Sequence, residues 1–168
     1  MLRTVLNVMY RASGVLAAFF LLLICVLIVL QIVGRSINII IDSTELAGFF
    51  LAASSFLGLA YTLNQGSHIR VNMLPASVKN PRHKAWLELW CCACAALVMG
   101  YITWQAGLFT LESLEYGDLS PGLMAVPFWI PQTAMTAGLL MLTIAFVDEF
   151  ILIARGGTPS YVDQAASE

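Results

Sequence analysis

Few side chains in this sequence could do chemistry, and their spacing decides what kind. The four cysteines are Cys25, Cys91, Cys92 and Cys94. Cys91 and Cys94 lie one helical turn apart. No such pair falls in a loop, where it could exchange disulfides, and no histidine stands near to complete a zinc site. Thiols inside apolar helices read instead as small packing residues. His68 and His83 both lie in a polar, basic stretch. A membrane haem needs axial histidines inside helices, so none is expected. A small proton-coupled exporter needs a carboxylate deep in a helix. The candidates are Glu88, Asp148 and Glu149, and all three fall near the ends of apolar runs. At a rise of ~1.5 Å per residue, Glu88 is about two turns beyond Pro81. With Arg11 and Arg155 at the same level, an interfacial ion-pair cluster is the expected arrangement, and an ion pathway is the alternative. Nothing pairs a nucleophile with a base or makes a phosphate loop. No catalytic residue, cofactor or metal site is expected.

The elements that carry these residues are membrane helices. Of the 168 residues, 60% are hydrophobic and 11% charged, against about half and a quarter in soluble domains. Apolar runs near twenty residues in length make the chain an all-α integral membrane protein with four transmembrane helices. The expected spans are about 13–33, 46–63, 86–108 and 126–153, in one domain, with a short cytoplasmic tail over 156–168. The first run, Ala12 to Gly34, outlasts a signal-peptide core and lacks a cleavage pattern, so it reads as a retained helix. Its apolar residues surround most of its circumference and suit lipid contact. Gln31 is expected to bond Arg35 or water. Asn80-Pro81 reads as the N-cap and first position of the third helix. Trp86 and Trp90 mark one membrane interface, and Tyr101 and Trp104 approach the other. Ala93, Ala96 and Gly100 form a small-residue strip. Pro127 and Pro131 are expected in the first turns of the fourth helix, where a missing backbone donor costs least.

Six of the eight lysines and arginines lie in the N-terminus and in the link from Asn64 to Lys84. Cationic loops stay in the cytoplasm, so both termini and this link are expected there. Part of the link is expected to lie at the membrane surface, as an interfacial segment between helices 2 and 3. The link Phe109–Ala125 carries Glu112, Glu115 and Asp118 and no cation, and faces out. No basic patch suits nucleic acid.

Helix 2 and its exit are the stretch around which the rest is organised. Glu45 opens the helix, where a helix N-terminus favours negative charge. Asp42 or Ser43 can cap it, and Asp42 with Glu45 has capping-box spacing. Gly48, Ala52, Ser55 and Gly58 place small residues about one turn apart, a strip that lets another transmembrane helix approach closely. Gly66 permits a sharp turn at the helix end. In an extended run His68 and Arg70 would then point to one side, as polar groups for docking a protein partner.

These same residues carry a family resemblance. Gly66-Ser67-His68-Ile69-Arg70-Val71-Asn72 follows a span that begins Ser43-Thr44-Glu45-Leu46 and contains Phe56-Leu57-Gly58-Leu59-Ala60. This resembles the DctQ-like small membrane subunit of tripartite ATP-independent periplasmic (TRAP) transporters. That family has an acidic residue opening its second helix, a mid-helix glycine and a Gly-x-His-Ile-x-Val-Asp-like motif. Asn72 stands where the aspartate is often found. Ser120, Pro127, Phe128, Trp129 and Pro131 match the order of the family's C-terminal features. The resemblance covers almost the whole chain. It implies a bacterial inner-membrane complex for uptake of an organic acid, such as a dicarboxylate, a sugar acid or a sialic acid, by symport. A large membrane subunit would carry the transport sites, and a periplasmic substrate-binding protein would deliver the solute. The small subunit would pack on the large one through Glu45, Gly48, Ala52, Ser55, Gly58, Gly66, His68 and Arg70. The loop with Glu112, Glu115 and Asp118 would lie beside the docked binding protein. The alternative from another class is a self-sufficient ion-coupled transporter using Glu88 or Asp148.

Overall fold

A computed structural model describes residues 2–39, 42–64, 81–122 and 124–155. It contains four helices: α1 (Leu2–Ser36), α2 (Thr44–Asn64), α3 (Pro81–Tyr116) and α4 (Trp129–Ala154). All four are long and apolar enough to cross a membrane, which makes the chain a multi-pass membrane protein. The segment between α2 and α3, with its expected interfacial stretch, and the tail over 156–168 lie outside the described residues.

Local chemistry explains where each helix begins and ends. α1 closes in a Schellman motif. The Ile39 N–H donates to the Gly34 carbonyl (2.9 Å) and the Asn38 N–H to that of Arg35 (3.3 Å). Asn38 takes the left-handed conformation this requires, with φ of 58°, and asparagine is among the few residues that tolerate it. Arg35 in the last turn complements the helix dipole. α2 starts at Ser43, whose carbonyl accepts the Ala47 N–H at 2.9 Å. The Asp42 carboxylate accepts the Thr44 N–H at 3.1 Å. α3 begins at Pro81, as the Asn-Pro pair predicts. It ends at Gly117, which is left-handed (φ 66°), with the Asp118 N–H donating back to the Ser113 carbonyl.

Two boundaries differ from the sequence expectation. α3 runs on about two turns past Leu108, so Glu112 and Glu115 ride on a helix and only Asp118 lies in the link. Gly117, the first residue that relieves the left-handed strain, stops the helix; the acidic residues themselves do not. At the other end of that link Pro127 precedes α4 and pairs in an isolated bridge with Leu119. Pro131 does sit in the first turn of α4.

Helix packing follows the order α1–α2–α4–α3, with α2 held between α1 and α4, and α3 against the far side of α4. The core lies toward the end where α1 starts and α4 finishes, here termed the Tyr10 end. It consists of Tyr10, Ala60, Leu63, Leu142 and Ala145, flanked by Leu6, Leu59, Met99, Met141 and Phe146. α2 and α4 bury the largest share of their spans, whereas α1 and α3 are mostly open. On α1 the side chains of Val15 and Leu22 stand out from the protein, as expected of a lipid-facing surface. On α3 the exposed stripe includes Trp86, Trp90, Leu97, Tyr101 and Trp104, consistent with aromatic residues that meet the membrane interfaces.

Glycines set the closest approaches. A methyl group at Gly138 would come 2.5 Å from the Phe56 carbonyl carbon, so the α4 backbone rests on that of α2. At Gly14 it would come 2.7 Å from the Tyr61 ring, so that ring packs directly against the α1 backbone.

Candidate partner-binding surface

The small-residue strip of α2 divides between two faces. Gly48 and Ser55 are exposed and Ala52 is half-buried. A methyl at Gly48 would touch nothing within 4 Å. Gly58 is turned toward α1 instead, where a methyl would meet the Ala17 side chain at 3.7 Å. The open strip is therefore Gly48, Ala52 and Ser55, with exposed Leu51 beside it. The Ser55 hydroxyl is already satisfied by its own helix, donating to the Leu51 carbonyl at 2.8 Å. The strip thus presents little polar demand and little bulk, which is what close helix contact in lipid requires.

Glu45 does not reach back to form the capping box. Its carboxylate crosses to the α3–α4 connection, where Oε2 accepts the Met124 N–H at 3.4 Å. The same carboxylate fills the space a side chain at Gly122 would need. Oε1 is buried without a hydrogen-bond partner among the described residues. Gly66, His68 and Arg70 lie outside the described residues. Glu112, Glu115 and Asp118 are all exposed, on the last turns of α3 and just beyond.

Polar contacts between helices are made mostly by hydroxyls. The Ser54 hydroxyl donates to the Ala17 carbonyl at 3.0 Å, joining α2 to α1. Gln31 accepts from the Ser43 hydroxyl at 3.1 Å, where Arg35 or water was expected. Between α3 and α4 two pairs face each other: Thr103 with Thr143 at 2.8 Å and Thr110 with Thr136 at 3.0 Å. Thr103 and Thr143 also lie within bonding distance of the Met99 and Leu139 carbonyls of their own helices. With one proton each, one hydroxyl donates along its helix and the other donates across. One turn further on, Ser113 and Gln132 are buried, with Oγ and Oε1 unpartnered among the described residues. Of the strip Ala93, Ala96 and Gly100, the glycine borders this seam: a methyl at Gly100 would meet the Thr143 methyl at 3.8 Å. The threonines were missed from sequence. Their signal is the matched seven-residue spacing, Thr103 and Thr110 against Thr136 and Thr143.

At the Tyr10 end, Glu149 is buried and Asp148 half-buried. The Tyr10 hydroxyl lies within electrostatic reach of both. Arg11 and Arg155 are exposed, and the Glu88 side chain lies outside the described residues. Of the thiols, Cys92 alone is buried, whereas Cys25, Cys91 and Cys94 are exposed on their helices. Among the described residues no three of His, Cys, Asp and Glu come together as metal ligands.

Comparison with known proteins gives one family. The model for the DctQ component of tripartite ATP-independent periplasmic transporters matches residues 24–156. No curated protein and no solved structure matches the chain. The matched region takes in the last third of α1, all of α2, α3 and α4, and the hydroxyl seam between the last two. The chain belongs to the DctQ family, the small permease component of TRAP transporters.

Proposed function

We propose that this small permease subunit acts as a scaffold: it packs against the large transport subunit through the open face of α2 and does not itself conduct solute. The family is one of transporter components, not of enzymes, and it implies a complex with a large membrane subunit and a periplasmic binding protein. The observation that carries the scaffold reading is the distribution of charge. Between Ala12 and Gly34, Leu46 and Asn64, Leu89 and Leu111, and Trp129 and Val147 the sequence holds no charged residue. What the helices bury at mid-span is apolar or hydroxylic, and such groups satisfy one another or their own backbone. A path for an organic anion would need cations or clustered donors at that depth. The solute is an organic acid bound by the other subunits. The protein sits in the bacterial inner membrane with both termini in the cytoplasm, which places Glu45, the end of α3 and the α3–α4 connection on the periplasmic side. There Glu112, Glu115 and Asp118 border the surface on which the binding protein docks.

Two measurements test this. The isolated chain in liposomes should move no organic acid under a sodium or proton gradient, and robust uptake would overturn the scaffold reading. Gly48→Leu should weaken co-purification of the two membrane subunits while leaving the isolated small subunit folded, since position 48 has free space around it. Retention of the complex would exclude this face. Among the described residues, burial of Glu149 is the feature on the side of a self-sufficient ion-coupled carrier. Glu149→Gln in the whole complex should leave transport largely intact under the scaffold reading, and abolish it under the other.

A further inference from the structure

The connection between α3 and α4 is folded on itself and tied down. The Ser120 N–H donates to the Val126 carbonyl at 2.9 Å and the Phe128 N–H to that of Asp118 at 3.0 Å, closing a short hairpin around the Leu119–Pro127 bridge. Ala125 within it is left-handed (φ 46°), a conformation that a residue with a side chain adopts only when its surroundings impose it. The first turn of α2 touches this hairpin twice. Glu45 reaches Gly122 and Met124. Phe49, one turn later, packs edge-on against Phe128 at 6.2 Å between ring centroids.

We propose that Glu45 is a strap: its carboxylate fastens the α3–α4 hairpin to the first turn of α2, so that the exposed edge at Asp118 and Leu119 moves with α2 as one body. The polar contact holds near the tip and the aromatic contact holds the base. The carboxylate occupies the place of a side chain at 122, so a methyl there would displace it. The fastening is slight. It uses a single hydrogen bond of 3.4 Å and leaves Oε1 without a partner among the described residues. Removing the carboxylate altogether is therefore enough to loosen the hairpin tip, with no change in the membrane-spanning core. A partner that engages the Asp118–Leu119 edge pulls on α2 through this contact and loses that connection when it opens. The inference concerns this chain alone and does not rest on its role as a scaffold.

A nitroxide at Met124→Cys tests the strap, in the full chain in lipid nanodiscs with the native cysteines replaced. Met124 contributes only its backbone N–H, and its side chain is exposed. Glu45→Ala should shorten the rotational correlation time of the label several-fold. Gly122→Ala, which expels the carboxylate from the other side and leaves α2 unaltered, should do the same. Glu45→Gln keeps an acceptor oxygen and should stay close to the parent spectrum, which separates fastening from a simple charge effect on the helix terminus. A label equally immobile in Glu45→Ala and the parent overturns the proposal. So does a mobile label in Glu45→Ala with an immobile one in Gly122→Ala. Should Glu45→Ala fail to fold, the Gly122→Ala spectrum decides between the same two results.

Discussion

Gly138 and Gly48 receive the same substitution in opposite surroundings, which isolates the energy of the α2–α4 contact. Alanine in place of glycine favours a helix by about 1 kcal/mol at either position. At Gly48 the new methyl meets nothing within 4 Å. At Gly138 it would lie 2.5 Å from the Phe56 carbonyl carbon and 2.7 Å from the Phe56 Cβ and carbonyl oxygen. Ordinary carbon contacts fall at about 3.5–4.0 Å, and backbone cannot swing aside as a flexible side chain does. The two helices must therefore part by about 1 Å, a gap that forfeits roughly a quarter to a half of each dispersion contact across it. Leu142 and Ala145 on α4, and Ala53, Leu57 and Ala60 on α2, are buried in this region. Overpacking of this kind costs about 1–3 kcal/mol. Since propensity cancels between the two variants, Gly138→Ala should be less stable than Gly48→Ala by that full amount. Unfolding of the isolated subunit in a denaturing-detergent titration, followed by circular dichroism, measures it. Equal stability of the two variants would refute the claim that Gly138 sets the helix distance.

Three further outcomes are expected. In a double-mutant cycle, Thr103→Val and Thr143→Val should couple by about 0.6 kcal/mol and at most about 1.7, the range for interhelical hydrogen bonds in membranes; zero coupling would mean that each hydroxyl serves only its own helix. With the native cysteines replaced, Leu119→Cys should react with an impermeant thiol reagent from the periplasm and Ser77→Cys should not; the reverse pattern inverts the assigned orientation. Combined charge reversal at Glu112, Glu115 and Asp118 should alter transport by the whole complex more at low salt than near 0.1 M, where exposed charges are screened beyond about 10 Å; a change independent of salt would leave these residues as plain surface.

The sequence made the helices legible and their partners illegible, for one physical reason. Apolar runs and the Asn80-Pro81 start announce helices, because lipid imposes both length and internal hydrogen bonding. In a soluble bundle the buried face would also be visible as an apolar stripe. Here lipid and protein neighbours are equally apolar, so α2, α3 and α4 carry almost no such stripe, and small residues and hydroxyls mark the contacts instead. Gly100 is readable in that way and does face Thr143 of α4. Gly58 was assigned with Gly48 because they share one small-residue strip, but position 58 is rotated toward Ala17. Glu45 was misleading for a different reason. Capping-box spacing describes what the first turn can do by itself, whereas its actual amide partner lies 79 residues away. α1 begins well before the expected span of 13–33, and this N-terminal extension carries Tyr10 into the core.

The packing order has a consequence for how the chain assembles. α1 pairs with α2 and α3 pairs with α4, each a helix with its successor in sequence. The remaining principal contact, α2 with α4, joins the two pairs. Each hairpin can therefore form as its two helices leave the translocon, using only local contacts such as Ser54 to Ala17 or Thr103 to Thr143. Docking of the two halves waits until α4 is complete, and it depends on a single seam whose tightest point is a glycine. A chain halted before α4 has α2 with its buried side uncovered, a ready signal for membrane quality control. A chain carrying a larger residue at 138 reaches the same exposed state after synthesis has finished.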